Sequence, residues 1–216
     1  MAKGPQRQQQ TKKQRVGLVF CEDENDAEAL SNLARALRPS LPPIMYCRRP
    51  LVLMRDRKAA EDRKRNAAGV LAVVRARERL ANVHFVIAHQ DCDALEPAHK
   101  ALASQIECEL KAQGVPNVIA VAPAWEIEAW WYLWPDAVAG VNSKWKPLKR
   151  TGNHGMIKDV KEVLRRDLRS PGARDYEESD SRRISKTVMD KKLVGTKKGT
   201  SNSFEEFSAR VLSLPL

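Results

Sequence analysis

Asp91 and Asp93 close an apolar run, NVHFVIAHQDCDA at residues 82–94, and stand one residue apart. Glu22 and Asp23 end the run VGLVFC at 16–21 in the same way, and Glu126 and Glu128 follow NVIAVAP at 117–123. Carboxylates gathered in one place repel one another, so such a cluster destabilises a fold unless a cation neutralises it. Oxygen donors without well-spaced His or Cys select a hard ion, which points to Mg²⁺ or Mn²⁺ rather than zinc. His84, His89, His99 and His154 form no HxxxH or HExxH pattern and are expected to be structural. Cys21, Cys47, Cys92 and Cys108 form no CxxC pair and are expected to be reduced thiols. In extended backbone an Asp-x-Asp turns both side chains to one side, which supplies two ligands to a single ion. Glu126 and Glu128 on a helix would diverge by about 200°, so one of them, Glu128, is expected to face the site.

These acids need elements that carry them to one place. VGLVFC, PPIMYC, HFVIAHQ and NVIAVAP are short, apolar and partly β-branched, as strands buried on both faces are. Helical stripes separate them: Ala27, Leu30, Ala34 and Leu37, closed by Pro39; a long helix over 57–81 with Ala67, Val70, Leu71 and Val74, preceded by Arg55, Arg57 and Lys58; and Leu102, Ile106 and Leu110 between Pro97 and Gly114. This alternation predicts an α/β fold, a parallel sheet of about four strands covered by helices, over residues 16–138. Ligands of such sheets sit beyond the carboxyl ends of the strands, where all three acidic segments fall. Residues 1–15 have no apolar anchor and are expected to be a disordered basic arm. Residues 139–216 are expected to form a basic, mainly helical extension, with helices over MIKDVKEVLRRDL, near ISKTVMDKKL, and over FEEFSARVLSL with Ser203 as an N-cap. The tryptophans of 125–134 are expected in the core.

The net charge of +11 on 216 residues is unevenly distributed. Residues 16–143 carry 15 Lys and Arg against 17 Asp and Glu, residues 1–15 carry five bases and no acid, and residues 144–199 carry 17 bases against 8 acids. Basic flanks around a mildly acidic middle suit a polyanion held from both sides, DNA or RNA. The expected contacts are Lys144, Trp145, Lys146, Lys149, Arg150, Lys197 and Lys198, with Trp145 stacking on a base from a loop. No apolar run reaches the roughly 18 residues of a membrane span, and the N-terminus lacks the apolar stretch of a signal peptide, so a cytoplasmic protein without membrane association is expected.

LVFCEDENDAEAL, followed far downstream by FVIAHQDCD, resembles the TOPRIM domain of topoisomerases, primases and overcoming-lysogenization-defect nucleases. APAWEIEAWWYL is similar to a Glu-Ala-Trp signature of small bacterial TOPRIM-like proteins associated with defence against phage, and SNSFEEFSARVL resembles their closing helix. The resemblance implies that Glu22 is the strand-end general acid or base or a further metal ligand. It also implies that Asp91 and Asp93 are the metal pair and that Glu128 supports the metal. Asp23 stands where that family commonly has glycine, which leaves the loop geometry open.

The implied activity is Mg²⁺- or Mn²⁺-dependent cleavage of phosphodiester bonds in DNA or RNA, possible partners being an ATPase or another defence-system subunit. Tyr46, Tyr132 and Tyr176 fall in no motif of a covalent nucleophile, which argues against topoisomerase chemistry. The alternative is a non-catalytic nucleic-acid-binding or regulatory protein that keeps a TOPRIM shell. A phosphate-accepting receiver domain is a further rival, disfavoured by the 69 residues from Glu22 to Asp91 and by the second aspartate at Asp93.

Overall fold

A computed structural model describes residues 13–48 and 60–215. Most of the expected basic arm, and the cluster Arg55, Arg57 and Lys58, lie outside the described residues. Arg15 does not belong to an arm: it opens the first strand.

Four strands, β1 (Arg15–Phe20), β2 (Ile44–Cys47), β3 (Asn82–His89) and β4 (Val118–Val121), form one all-parallel sheet in the order β2-β1-β3-β4. The helices between them are α1 (Glu24–Leu37), α2 (Ala60–Glu78) and α3 (Ala98–Ala112). The chain therefore has a Rossmann-like α/β architecture. Alternate strand residues supply two cores, because successive side chains point to opposite faces. Val16, Leu18, Phe20, Val86, Ala88, Val118 and Ala120 meet α2 and α3 through Val70, Val74, Ile106 and Leu110. Val19, Cys21, Phe85, Ile87, Ile119 and Val121 meet α1 and everything after β4. Gly17 lies under the Phe85 ring, where a Cβ would sit 2.3 Å from Cζ, so only glycine lets the ring cross β1.

Beyond β4 come α4 (Glu128–Trp131), α5 (Pro135–Val141), α6 (Val160–Leu168), α7 (Asp180–Asp190) and α8 (Asn202–Ser213). One continuous core joins Leu30 and Leu33 of α1 to Trp130, Leu164, Ile184 and Phe207, so the packing runs unbroken across residue 138. Trp130, Trp131 and Trp134 are buried in it as expected.

Ser203 is not the cap of α8. Ser201 precedes the helix, and the Ser203 hydroxyl instead accepts from the Trp130 indole at 3.0 Å and from the Ala124 amide at 3.3 Å. The capping role passes to Glu96, a buried carboxylate 105 residues upstream of Ser201 in the chain. It accepts from the Ser203 amide (2.9 Å), Ser201 Oγ (3.3 Å), Asn202 Nδ2 (2.7 Å) and Asn153 Nδ2 (2.8 Å). A negative charge at a helix N-terminus is favourable, and each charge-assisted bond contributes about 1.5–3 kcal/mol. Gly155 packs so closely on this carboxylate that a Cβ would lie 2.1 Å from Oε1.

The order β2-β1-β3-β4 positions the site. β1 hands over to α1 on one face and β3 to α3 on the other, so the loops after β1 and β3 part company and leave a crevice at the carboxyl edge. No helix among the described residues is long and apolar enough to cross a membrane.

Candidate functional site

The acids of all three strand-end segments meet in that crevice. A polar cavity of about 260 Å³ is lined by Glu22, Asp23, Asp26, Gln90, Asp91, Asp93, Glu126, Glu128, Lys161 and Glu178. Eight of these ten residues are carboxylic acids, and Lys161 is the one Lys or Arg among them. Like charges about 4 Å apart repel by about 1 kcal/mol in water and about 4 kcal/mol at a protein surface, so such a lining calls for protons or cations.

Asp23 settles the loop geometry that the sequence left open. Its backbone is extended (φ −131°), and its carboxylate caps α1 by accepting from the amides of Asn25 (2.6 Å) and Asp26 (3.0 Å). No left-handed residue is needed there. The cap presents Asp26 to the cavity from the first turn and leaves Glu22 exposed at its edge.

The loops after β3 and β4 continue the ladder beyond the strands. Gln90 N–H donates to Val121 O (3.0 Å), Cys92 N–H to Pro123 O (3.2 Å), Asp93 N–H to Trp125 O (3.0 Å) and Trp125 N–H to Ala94 O (2.8 Å). At the end of this zipper Asp93 (φ 50°) and Trp125 (φ 61°) are both left-handed, a conformation that costs a non-glycine residue about 1–2 kcal/mol. The Asp-x-Asp is thus not extended throughout as expected: the chain turns at Asp93. Both aspartates nevertheless line the one cavity.

Glu126 and Glu128 also both line it, contrary to the expectation that one would point away. A divergence of about 200° requires a helix through both positions, whereas α4 starts at Glu128 and Glu126 lies in the turn before it. Glu128 is 3% exposed and accepts from the Tyr176 hydroxyl at 3.1 Å. Burial pushes its carboxyl up to about 8, with Lys161 working against this and Asp91, Glu126 and Asp26 adding to it. Burial likewise pushes Asp26 up to about 7, and raises Glu126 despite its ion pair with Lys161.

Four contributors are absent from the motif-based reading. Lys161, on α6, bridges Glu126 (3.0 Å) and Glu178 (2.9 Å). Burial opposes its charge, but Glu128, Glu178 and Glu126 outweigh burial and hold its pKa above the ordinary value. His89 is buried beneath the acids, with Nε2 3.4 Å from Asp91 Oδ1 and Nδ1 4.0 Å from Asp26 Oδ2. Burial lowers its pKa, yet Asp91 and Cys21 outweigh that and hold it well above the usual imidazole value. Asp26 was legible as an acid one turn beyond Asp23. For Lys161 and Glu178 no local pattern pointed here, since they arrive from the C-terminal segment.

With metal chelated, these shifts give stability a definite pH dependence. The unfolded chain releases the Glu128 proton near 4.5, while the folded protein keeps it to about 8, so the unfolded state gains as pH rises between those values. Asp26 acts with the same sign between 3.8 and about 7, and so does His89 above its ordinary 6.5. The melting temperature in chelator should therefore fall from about pH 5 to about pH 8. Glu128→Gln should flatten that slope. A wild-type curve level across the interval would mean that these groups are not held protonated in the folded protein.

The donor chemistry of the cavity fits a hard divalent cation: carboxylate oxygens dominate, and Asp91 Oδ1 and Gln90 Oε1 are buried without a hydrogen-bond partner. Among the described residues, no three His, Cys, Asp or Glu side chains are already drawn together in metal-holding geometry. Glu22, Asp91, Asp93 and Glu128 therefore share a cavity without forming a closed ligand shell.

The basic contacts expected for nucleic acid lie elsewhere, none of them on the cavity wall. Lys144, Lys146, Lys149 and Lys198 are exposed, Arg150 is exposed and pairs with Asp167, and Lys197 pairs with Glu205. Trp145 does not stack from a loop. It is 4% exposed, its indole donates to Arg174 O at 2.6 Å, and the Arg174 guanidinium lies 5.2 Å from its ring centroid. Its apolar surface repays burial more than exposure between two lysines does. Trp125, expected in the core, is instead only partly buried, next in the chain to Glu126 of the cavity wall.

No protein-family profile, curated protein or solved structure matches the chain.

Proposed function

We propose that this chain is a metal-dependent nuclease of TOPRIM-like type that hydrolyses phosphodiester bonds in DNA or RNA. The observation that carries the reading is the convergence of eight carboxylic acids, from three strand ends and the C-terminal segment, on one cavity at the switch point of a parallel sheet. Asp91 and Asp93 would hold Mg²⁺ or Mn²⁺, with Glu128 in support. The chemistry such an ion supplies is Lewis-acid polarisation of a phosphoryl oxygen. Glu22, exposed where the cavity opens, would move a proton between the reacting oxygen and solvent. Lys144, Lys146, Lys149 and Lys198 would hold phosphates by charge, which makes affinity fall steeply with salt. The same reading carries a cytoplasmic role as the effector of an anti-phage system, working with an ATPase or another subunit.

A second reading, a non-catalytic nucleic-acid-binding or regulatory protein, is favoured by Lys161, whose two ion pairs already place a cation inside the cavity. The deciding experiment incubates the full chain with single- and double-stranded DNA and RNA in Mg²⁺, Mn²⁺ or chelator. Cleavage of at least one substrate in metal and none in chelator is expected. Binding without cleavage in either metal would replace the nuclease by the second reading.

A further inference from the structure

We infer that Trp125 is a stacking platform for an unpaired nucleobase at the rim of the acidic cavity, so that the substrate strand is single-stranded where it is engaged. This rests on the nuclease reading and adds to it the substrate class and the residue that recognises it.

Among the five tryptophans, Trp125 alone is partly exposed rather than buried. The other four are at most 4% exposed, and each spends its indole N–H inside the protein, on Ser203, Ser181, the Leu193 carbonyl and the Arg174 carbonyl. Trp125 packs partly on the core, and its backbone is pinned between the two acid-bearing loops by the bonds to Ala94 and Asp93. Its chain neighbour Glu126 lines the cavity, as does Asp93, its backbone partner, so the residue adjoins the site. The left-handed backbone at φ 61° would suit glycine or asparagine without strain, yet the position carries the bulkiest side chain. The exposed Lys158 has its ammonium 5.9 Å from the Trp125 ring centroid. A cation–π contact at an exposed site is weak, so the lysine can leave the ring for a phosphate while the indole face takes the base. An aromatic face beside an exposed cation matches the two halves of one nucleotide. A base inside a duplex already has both faces covered, which leaves the unpaired strand as the ligand.

The test measures binding of a single-stranded oligonucleotide of about twelve nucleotides, within the ~4–16 that such sites occupy, and of the same strand with its bases removed, in Ca²⁺ to hold off cleavage. Stacking contributes about 1–3 kcal/mol per base, so Trp125→Ala should raise the Kd for the intact strand by roughly 5- to 150-fold. Its Kd for the abasic strand should stay within about twofold, and Trp125→Phe should retain much of the preference. If Trp125→Ala does not fold, acrylamide quenching of wild-type fluorescence decides: the intact strand should protect the accessible indole and the abasic strand should not. Equal wild-type affinity for both strands, or no protection, overturns the inference while leaving the nuclease reading intact if cleavage is observed. Failure of the wild type to bind any strand overturns both.

Discussion

Glu22→Gln should lower metal-dependent cleavage by about a hundredfold or more, the usual loss when a general acid or base is removed, equivalent to about 2.7 kcal/mol of transition-state stabilisation. The isostere keeps the side chain's shape and removes a negative charge at the edge of an already acidic cavity. The α1 cap is untouched, because Asp23 and not Glu22 holds the amides of Asn25 and Asp26. The Kd for nucleic acid should therefore stay level or fall slightly while kcat collapses, and the two measurements separate chemistry from binding. Cleavage by Glu22→Gln at the wild-type rate would reduce Glu22 to a strand-end surface residue and remove the proposed proton transfer.

Divalent metal should raise the melting temperature of the wild type, because relief of repulsion among the cavity acids is available only when the folded chain brings them together. At a concentration about a hundred times Kd the gain is about 2.7 kcal/mol. At about 2–4 °C per kcal/mol for a domain of this size, that is a rise of roughly 5–10 °C. In the Asp91→Asn, Asp93→Asn double variant the metal-dependent rise should largely vanish. Equal metal-induced shifts in both proteins would place the ion away from Asp91 and Asp93.

VGLVFC, HFVIAHQ and NVIAVAP announced themselves as strands buried on both faces because an apolar run without alternation has few other stable uses, and the helical stripes between them made the sheet parallel. From that alone it followed that acids at 22, 91, 93 and 128 would share one edge. Local rules failed where the backbone departed from a regular repeat. Asp93 turns left-handed, so the period of two does not carry through the Asp-x-Asp, and α4 begins two residues after Glu126, so the helical angle does not apply to that pair.

Composition determined that the chain would fold with a buried core, and the order of its residues that the excess positive charge would lie toward its ends and that three pairs of acids would follow three strands. Tertiary structure decided what surrounds those acids. His89 lies beneath them and Lys161 reaches in from α6, 70 residues beyond Asp91, because the C-terminal helices cover the same sheet face as α1. Tertiary structure also exchanged the roles of two tryptophans, drawing Trp145 into the core and leaving Trp125 partly exposed. Burial depends on which surfaces remain when every element has packed, and that sum runs over contacts between residues far apart in the chain, which neighbouring residues in a sequence do not encode.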